Sequence, residues 1–169
     1  ISSPATNTDR SLTLPDEAGT VLTSASNISP QATTQIPIFS AYSNTSQSLS
    51  INTYTKVQMN VENTDSDGWY DTSNYRFTPQ LGGWYFLAGI VRTGTRNRNL
   101  STIWKNGSAW TYGMDVNDAG GGNNSSSIST LVFLNGSTDY VEFYLYTSST
   151  APLDNGNSTQ WSGFLVRAE

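Results

Sequence analysis

The sequence has no cysteine and no histidine. Without cysteine there can be no disulfide, no thiolate metal site and no thiol nucleophile, and cysteine usage gives no clue to the redox compartment. Without histidine the commonest general base and the commonest transition-metal ligand are missing, so a Ser-His-Asp triad and a histidine-ligated zinc site are both excluded. Charge is scarce too: 12% of the 169 residues are charged, about half the usual share. Lysine is confined to Lys56 and Lys105. Eight basic residues stand against 13 acidic ones, a net charge of −5, which repels phosphate backbones and disfavours nucleic acid as a partner. No apolar run approaches the ~18 residues of a membrane span. The sequence starts at Ile1 without a charged-then-apolar leader to read, and an Ile start reads as a piece of a longer chain, so the missing leader says nothing about localisation.

Uncharged polar residues fill the space that charge leaves: 24 Ser, 22 Thr and 16 Asn. An aromatic content of 12% argues against disorder over most of the chain. The rings are unevenly placed. Residues 1–35 contain none, and residues 36–169 contain them all. A segment without large rings buries little area per residue, so residues 1–35 read as a stalk or linker. Within it, Ser11–Leu14 and Thr20–Thr23 flank turn chemistry at Pro15–Gly19, a hairpin too small to stand alone.

Residues 36–169 read as a series of strands. Lys56–Glu62 alternates polar and apolar strictly, the pattern of a strand with one wet face. Trp84–Val91 is almost wholly apolar, as for a central strand covered on both faces. Ser129–Leu134, Asp139–Tyr146 and Trp161–Val166 continue the series. Turn pairs punctuate it: Asp67-Gly68, Gly82-Gly83, Asn106-Gly107, Asn135-Gly136 and Asn155-Gly156. Roughly eight to ten strands at this spacing predict an all-β sandwich, most simply a jelly roll.

The series Met59, Asp65, Tyr70, Phe77, Gly83, Tyr85 and Leu87 resembles the spaced pattern of the globular heads of the complement C1q family, relatives of tumour necrosis factor. Five of the seven positions fit; Met59 and Leu87 stand where that pattern has phenylalanine. Its last aromatic falls on Gly89, a departure expected to thin the packing of that strand. Pro37–Tyr42, Arg76–Thr78, Lys105–Gly107 and Ser162–Leu165 resemble flanking parts of the same domain. The resemblance implies a ten-stranded C1q/TNF-like jelly roll that assembles as a homotrimer. Separately, Leu12–Thr23 resembles a segment recurring in bacteriophage tail-fibre and other virion structural proteins, which implies a virion appendage.

Three kinds of local chemistry remain. Asn63-Thr64-Asp65-Ser66-Asp67-Gly68 opens like an EF-hand calcium loop, with Asp71 at the ninth position. Asn74 stands where the bidentate Glu is needed, so the expectation is an irregular calcium site at Asn63, Asp65, Asp67 and Asp71 or a solvated acidic turn. C1q-like trimers often bind calcium through loop carboxylates, and Asp115 with Asp118 is a weaker second set. Trp69, Trp104, Trp110, Tyr112 and Trp161 are candidates for a recognition platform, because rings pack on sugar faces at low entropic cost. Trp69, Trp110 and Tyr112 are put forward for receptor contact, core or trimer-seam packing is the alternative for most of the tryptophans, and Trp69 is expected to be the most exposed. Among the few glutamates, Glu62 and Glu142 sit on alternating strands as solvent-facing charges, so carboxylate-pair glycosidase chemistry is not expected and the chain is read as no enzyme. Arg92, Arg96 and Arg98 read as a hairpin whose charges keep an edge soluble. The resulting expectation is a trimeric virion tip, extracellular when it acts, that binds a host-surface glycan or protein and joins other virion proteins through its stalk. A purely structural trimerisation module and a secreted C1q-like binding protein are the alternatives.

Overall fold

Period-two alternation governs the chain, and no helix occurs among the described residues. A computed structural model describes residues 35–94, 97–117, 122–148, 150 and 152–169. The expected stalk hairpin, Arg96 and Asp118 lie outside the described residues. The strands are β1 (Ile38–Ser43), β2 (Thr53–Lys56), β3 (Val61–Asp65), β4 (Tyr70–Asp71), β5 (Arg76–Phe77), β6 (Gly82–Thr93), β7 (Asn99–Lys105), β8 (Ser108–Val116), β9 (Asn124–Asn135), β10 (Val141–Thr147) and β11 (Gly156–Ala168). The expected strand count is ten; eleven are present among the described residues, two of them, β4 and β5, only two residues long.

They form two antiparallel sheets. The first has the order β3-β1-β11-β6-β9, the second β4-β5-β10-β7-β8, and β2 pairs with β10. Between the sheets lies one apolar core that includes Phe39, Met59, Tyr70, Phe77, Tyr85, Phe143 and Trp161, each nearly or wholly buried. The hairpin expected at Asn106-Gly107 joins β7 to β8, with φ of 52° and 78° at the two residues. Positive φ at both positions matches the strand twist and is why Asn-Gly is favoured there.

The strand expected over Lys56–Glu62 is divided. β2 ends at Lys56 in the second sheet, and β3 begins at Val61 in the first. The intervening residues carry the chain from one sheet to the other. Val57 and Met59 still point into the core, so the alternation persists without a strand partner on both sides. Gln47 supplies what the missing ladder does not: its side-chain amide donates to the Lys56 carbonyl at 2.8 Å, and its Oε1 accepts from the Gln58 amide at 2.9 Å. A buried backbone group left unpaired would be costly.

Candidate functional site

The acidic loop between β3 and β4 is closed by its own side chains. Asp65 Oδ1 accepts from the Gly68 amide at 3.1 Å, and Oδ2 from the Tyr70 amide at 2.7 Å. Asp71 Oδ1 accepts from the Ser73 amide at 2.7 Å, and Oδ2 from the Asn74 side-chain amide. The Asn74 side chain first, then the Ser73 amide, hold the Asp71 carboxyl below its ordinary value. Ser66 Oγ donates to Asp67, and Asn63 Nδ2 donates to Ser40 Oγ at 3.3 Å. Aspartates that cap their own turn account for this spacing without a cation. Among the described residues, no three acidic side chains converge on one point. If turn-capping is the whole role of these carboxylates, calcium leaves the melting temperature unchanged in a thermal-shift titration; a calcium-dependent rise would show that the loop re-forms around the ion.

Trp69 is not the exposed ring of the set. It is half-buried against the core, 6.4 Å from the Phe77 ring, because its carbonyl is fixed by the Thr78 amide at 2.8 Å. Trp110 and Tyr112, on β8, are the exposed ones, at 49% and 59%. The register shift between Ile103 and Trp104 skips Trp110 on β8, and the surroundings of the two rings differ. Lys105 Nζ lies 5.5 Å from the Trp110 ring. Tyr112 instead joins a cluster of rings on the outer face of the second sheet. Tyr54 stands 6.3 Å from Tyr112, 5.9 Å from Trp104 and 5.4 Å from Tyr146. Trp104 stacks on Tyr144 at 4.2 Å. Trp104 was among the candidate rings; Tyr54, Tyr144 and Tyr146 were not. The signal was present: Tyr144 and Tyr146 occupy the outward positions of β10, where alternation leads one to expect small or charged side chains.

Charge on this face is paired. Glu142, expected to face solvent, is 2% exposed. Lys56 Nζ reaches its Oε1 at 2.9 Å and Arg76 Nη2 at 2.8 Å, while the Arg76 guanidinium lies 3.7 Å over the Tyr140 ring. Burial alone raises this carboxyl; the Lys56 and Arg76 hydrogen bonds outweigh it and hold the group below its ordinary value. A depressed carboxyl contributes stability above its unfolded pKa and loses it as pH falls through the folded value. Glu142→Gln is thus expected to lower unfolding free energy by about 2 kcal/mol at neutral pH, with the gap to wild type closing in denaturant titrations run at progressively lower, acidic pH. Arg98 binds Asp115 through Nη2 at 2.8 Å, and Arg92 binds Asp154 at 2.6 Å, so neither arginine offers a free anion contact. Glu62 lies on the first sheet and Glu142 on the second.

The outer face of the first sheet has a different character. Register places Ile38, Phe164, Phe86 and Leu131 in one row across β1, β11, β6 and β9. Phe86 and Phe164 touch at 5.5 Å, and Trp84 meets Phe133 edge-on at 5.8 Å. Phe164 is 44% exposed and Leu131 50%. The next row holds Ser40, Ser162, Ala88 and Ser129, whose small side chains leave a surface depression of about 630 Å³. The expectation that β6 is covered on both faces fails within a single chain: its inward side is buried, and its outward side carries uncovered rings.

No family model matches this sequence, and no curated protein matches it. Solved structures do. The globular domain of zebrafish complement 1qA is similar with a TM-score of 0.65 and 14% identity, over 80% of this chain and all of that one. Murine APRIL at pH 5.0 is similar at 0.61 and 11%, over 78% of this chain and all of that one. Eiger TNF from S. frugiperda is similar at 0.59 and 8%, over 79% and 94%. The fold is a C1q/TNF-like jelly roll.

Within that C1q-like sandwich the spaced pattern marks the core. Met59, Tyr85 and Leu87 are wholly buried, and Phe77 nearly so. The Tyr70 hydroxyl donates to the Met59 carbonyl at 2.8 Å. Gly89 does not thin the packing as expected. It pairs in register with Trp161, and a Cβ at Gly89 would lie 2.9 Å from Trp161 Cβ and 3.2 Å from the Phe143 ring. The indole of β11 takes the space that an aromatic on β6 would need.

Proposed function

We propose that this chain is the head of a homotrimeric attachment protein, working by binding and without bond chemistry, at the tip of a virion appendage. The observation that carries the reading is the uncovered apolar row on the first sheet. An exposed patch of this kind on a soluble domain marks an association surface. The bulky row and the neighbouring depression are complementary and not alike. A contact that seats one copy's bulk in the next copy's depression is heterologous, and such contacts close into rings. A C1q/TNF-like fold supports a ring of three. The virion placement rests on the likeness of Leu12–Thr23 to tail-fibre segments, and it makes other virion proteins the partners at the N-terminal side.

Three copies on one rigid head turn weak individual contacts into avidity worth about a hundred- to ten-thousandfold. Fluorescently labelled full chain, incubated with a panel of bacterial strains, tests the reading. Retention on at least one strain, lost when the assembly is dissociated, is the expected result. An intact trimer retained by none would leave a structural clamp as the better description.

A further inference from the structure

We propose that the ring cluster on the outer face of the second sheet is a carbohydrate-binding platform centred on Trp104 and Tyr112, and that its ligand is a neutral oligosaccharide. This inference rests on the attachment reading above and names the site and ligand class within it.

The two outer faces of the sandwich differ in chemistry. The first sheet offers Ile38, Phe86, Leu131 and Phe164, with no polar atom on any side chain; that surface suits another apolar protein surface. The second offers Tyr54, Tyr112, Tyr144 and Tyr146 around Trp104, within 4.2–6.3 Å of one another along the chain of contacts. Each tyrosine pairs an apolar ring with a hydroxyl. A pyranose has the matching duality, with C–H faces that stack on rings and a perimeter of hydroxyls that exchange hydrogen bonds. Two of the tyrosine hydroxyls are directed at polar neighbours, Tyr146 to Asn52 Oδ1 at 3.2 Å and Tyr144 to Glu142 Oε2 at 3.4 Å, so the perimeter of the platform is already a hydrogen-bonding one.

Charge selects the ligand class. Arg98 is held by Asp115, and Lys56 and Arg76 share Glu142. The charged groups flanking the rings are thus each engaged, and an anionic sugar would have to break an ion pair to find a counter-charge. Two polar atoms at the centre of the cluster point the same way. Thr102, wholly buried, stands in register between Tyr112 and Tyr144. Its Oγ1 and the Trp104 Nε1 have no hydrogen-bond partner among the described residues. Buried polar atoms ordinarily have one, and a sugar hydroxyl entering between the rings would supply it. The platform faces away from the apolar row, so it stays accessible when that row is covered.

The full-length protein, checked by light scattering for its mass, is applied to a glycan array carrying neutral hexose and N-acetylhexosamine oligosaccharides beside sialylated and phosphorylated ones. The best neutral oligosaccharide is then titrated by calorimetry. Binding to neutral glycans is expected, with affinity reduced at least about tenfold by Tyr112→Ala and by Trp104→Ala and held within about twofold by Trp110→Ala, all with unchanged mass. Tyr112→Phe separates ring from hydroxyl and is expected to fall between wild type and Tyr112→Ala. Neutral-glycan binding that survives Tyr112→Ala with mass intact overturns this site and leaves the attachment reading standing. Binding to anionic glycans alone, or to none on the array, overturns the proposal; retention on bacterial cells then decides the attachment reading separately.

Discussion

Replacing Phe86 by aspartate is expected to turn the assembly into folded monomers. Phe86 is half-buried in the single chain and points outward between Phe164 and Leu131. In a lone subunit a carboxylate there reaches water, so the core behind it, formed by Tyr85 and Leu87 on the opposite side of β6, is undisturbed. In the assembly the same carboxylate would be buried without a partner, at a cost of several kcal/mol per subunit. Each ~1.4 kcal/mol is a tenfold change in the dissociation constant, so the shift spans orders of magnitude. Light scattering should report one subunit per particle, while far-ultraviolet circular dichroism keeps its β signature. A Phe86→Asp protein that retains the wild-type mass would mean that this row is not the seam.

The second large effect concerns the core. Trp161→Ala is expected to lower unfolding free energy by about 3–5 kcal/mol, a large share of the ~5–15 kcal/mol that a domain holds in total. The indole is 1% exposed. It stacks on Phe143 at 6.0 Å and meets Phe39 edge-on at 4.9 Å and Tyr70 at 5.9 Å. Removing it leaves a void bounded by three rings and a glycine that cannot move to fill it. Gly89→Phe alone should also destabilise, because the space is occupied. The double variant Gly89→Phe, Trp161→Gly returns an aromatic to β6 and removes the obstruction. Denaturant titrations of wild type, Gly89→Phe, Trp161→Gly and the double variant should therefore show strong favourable coupling between the two sites. Additive losses would mean that the two strands do not share one aromatic slot.

That slot shows what local sequence conveys and what it withholds. Met59, Tyr70, Phe77, Tyr85 and Leu87 stood out only through the spaced pattern that resembles C1q-like heads, and each lies in the core. The tight turn at Asn106-Gly107 was legible because few residue pairs accept positive φ twice. Gly89 looked like a gap, since its filler comes from a strand more than seventy residues later in the chain. The crossing at residues 57–60 was hidden for a different reason: an extended segment with one buried face alternates in the same way whether or not it has a strand partner. The run Trp84–Val91 correctly announced two apolar faces, but a sequence does not say whether the second cover comes from the same chain.

The candidate site divides similarly. Tyr112 and Trp104 were candidates from the sequence, and Tyr54, Tyr144 and Tyr146 were not, because β2, β7, β8 and β10 bring together positions scattered from 54 to 146. Trp69 was misplaced on the strength of its loop, although Phe77 lies close enough to hold it against the core. Asp65 and Asp71 illustrate a real degeneracy. Acidic residues at alternate positions before a glycine serve a cation or a self-capped turn equally well.

Sedimentation velocity of the wild-type chain over a thousandfold dilution tests the central claim most directly. A single species at three times the 18.4 kDa chain mass, persisting on dilution, is the predicted result. A single species of one chain mass across the whole series would contradict it, because the apolar row on the first sheet would then be stable in water with nothing to cover it.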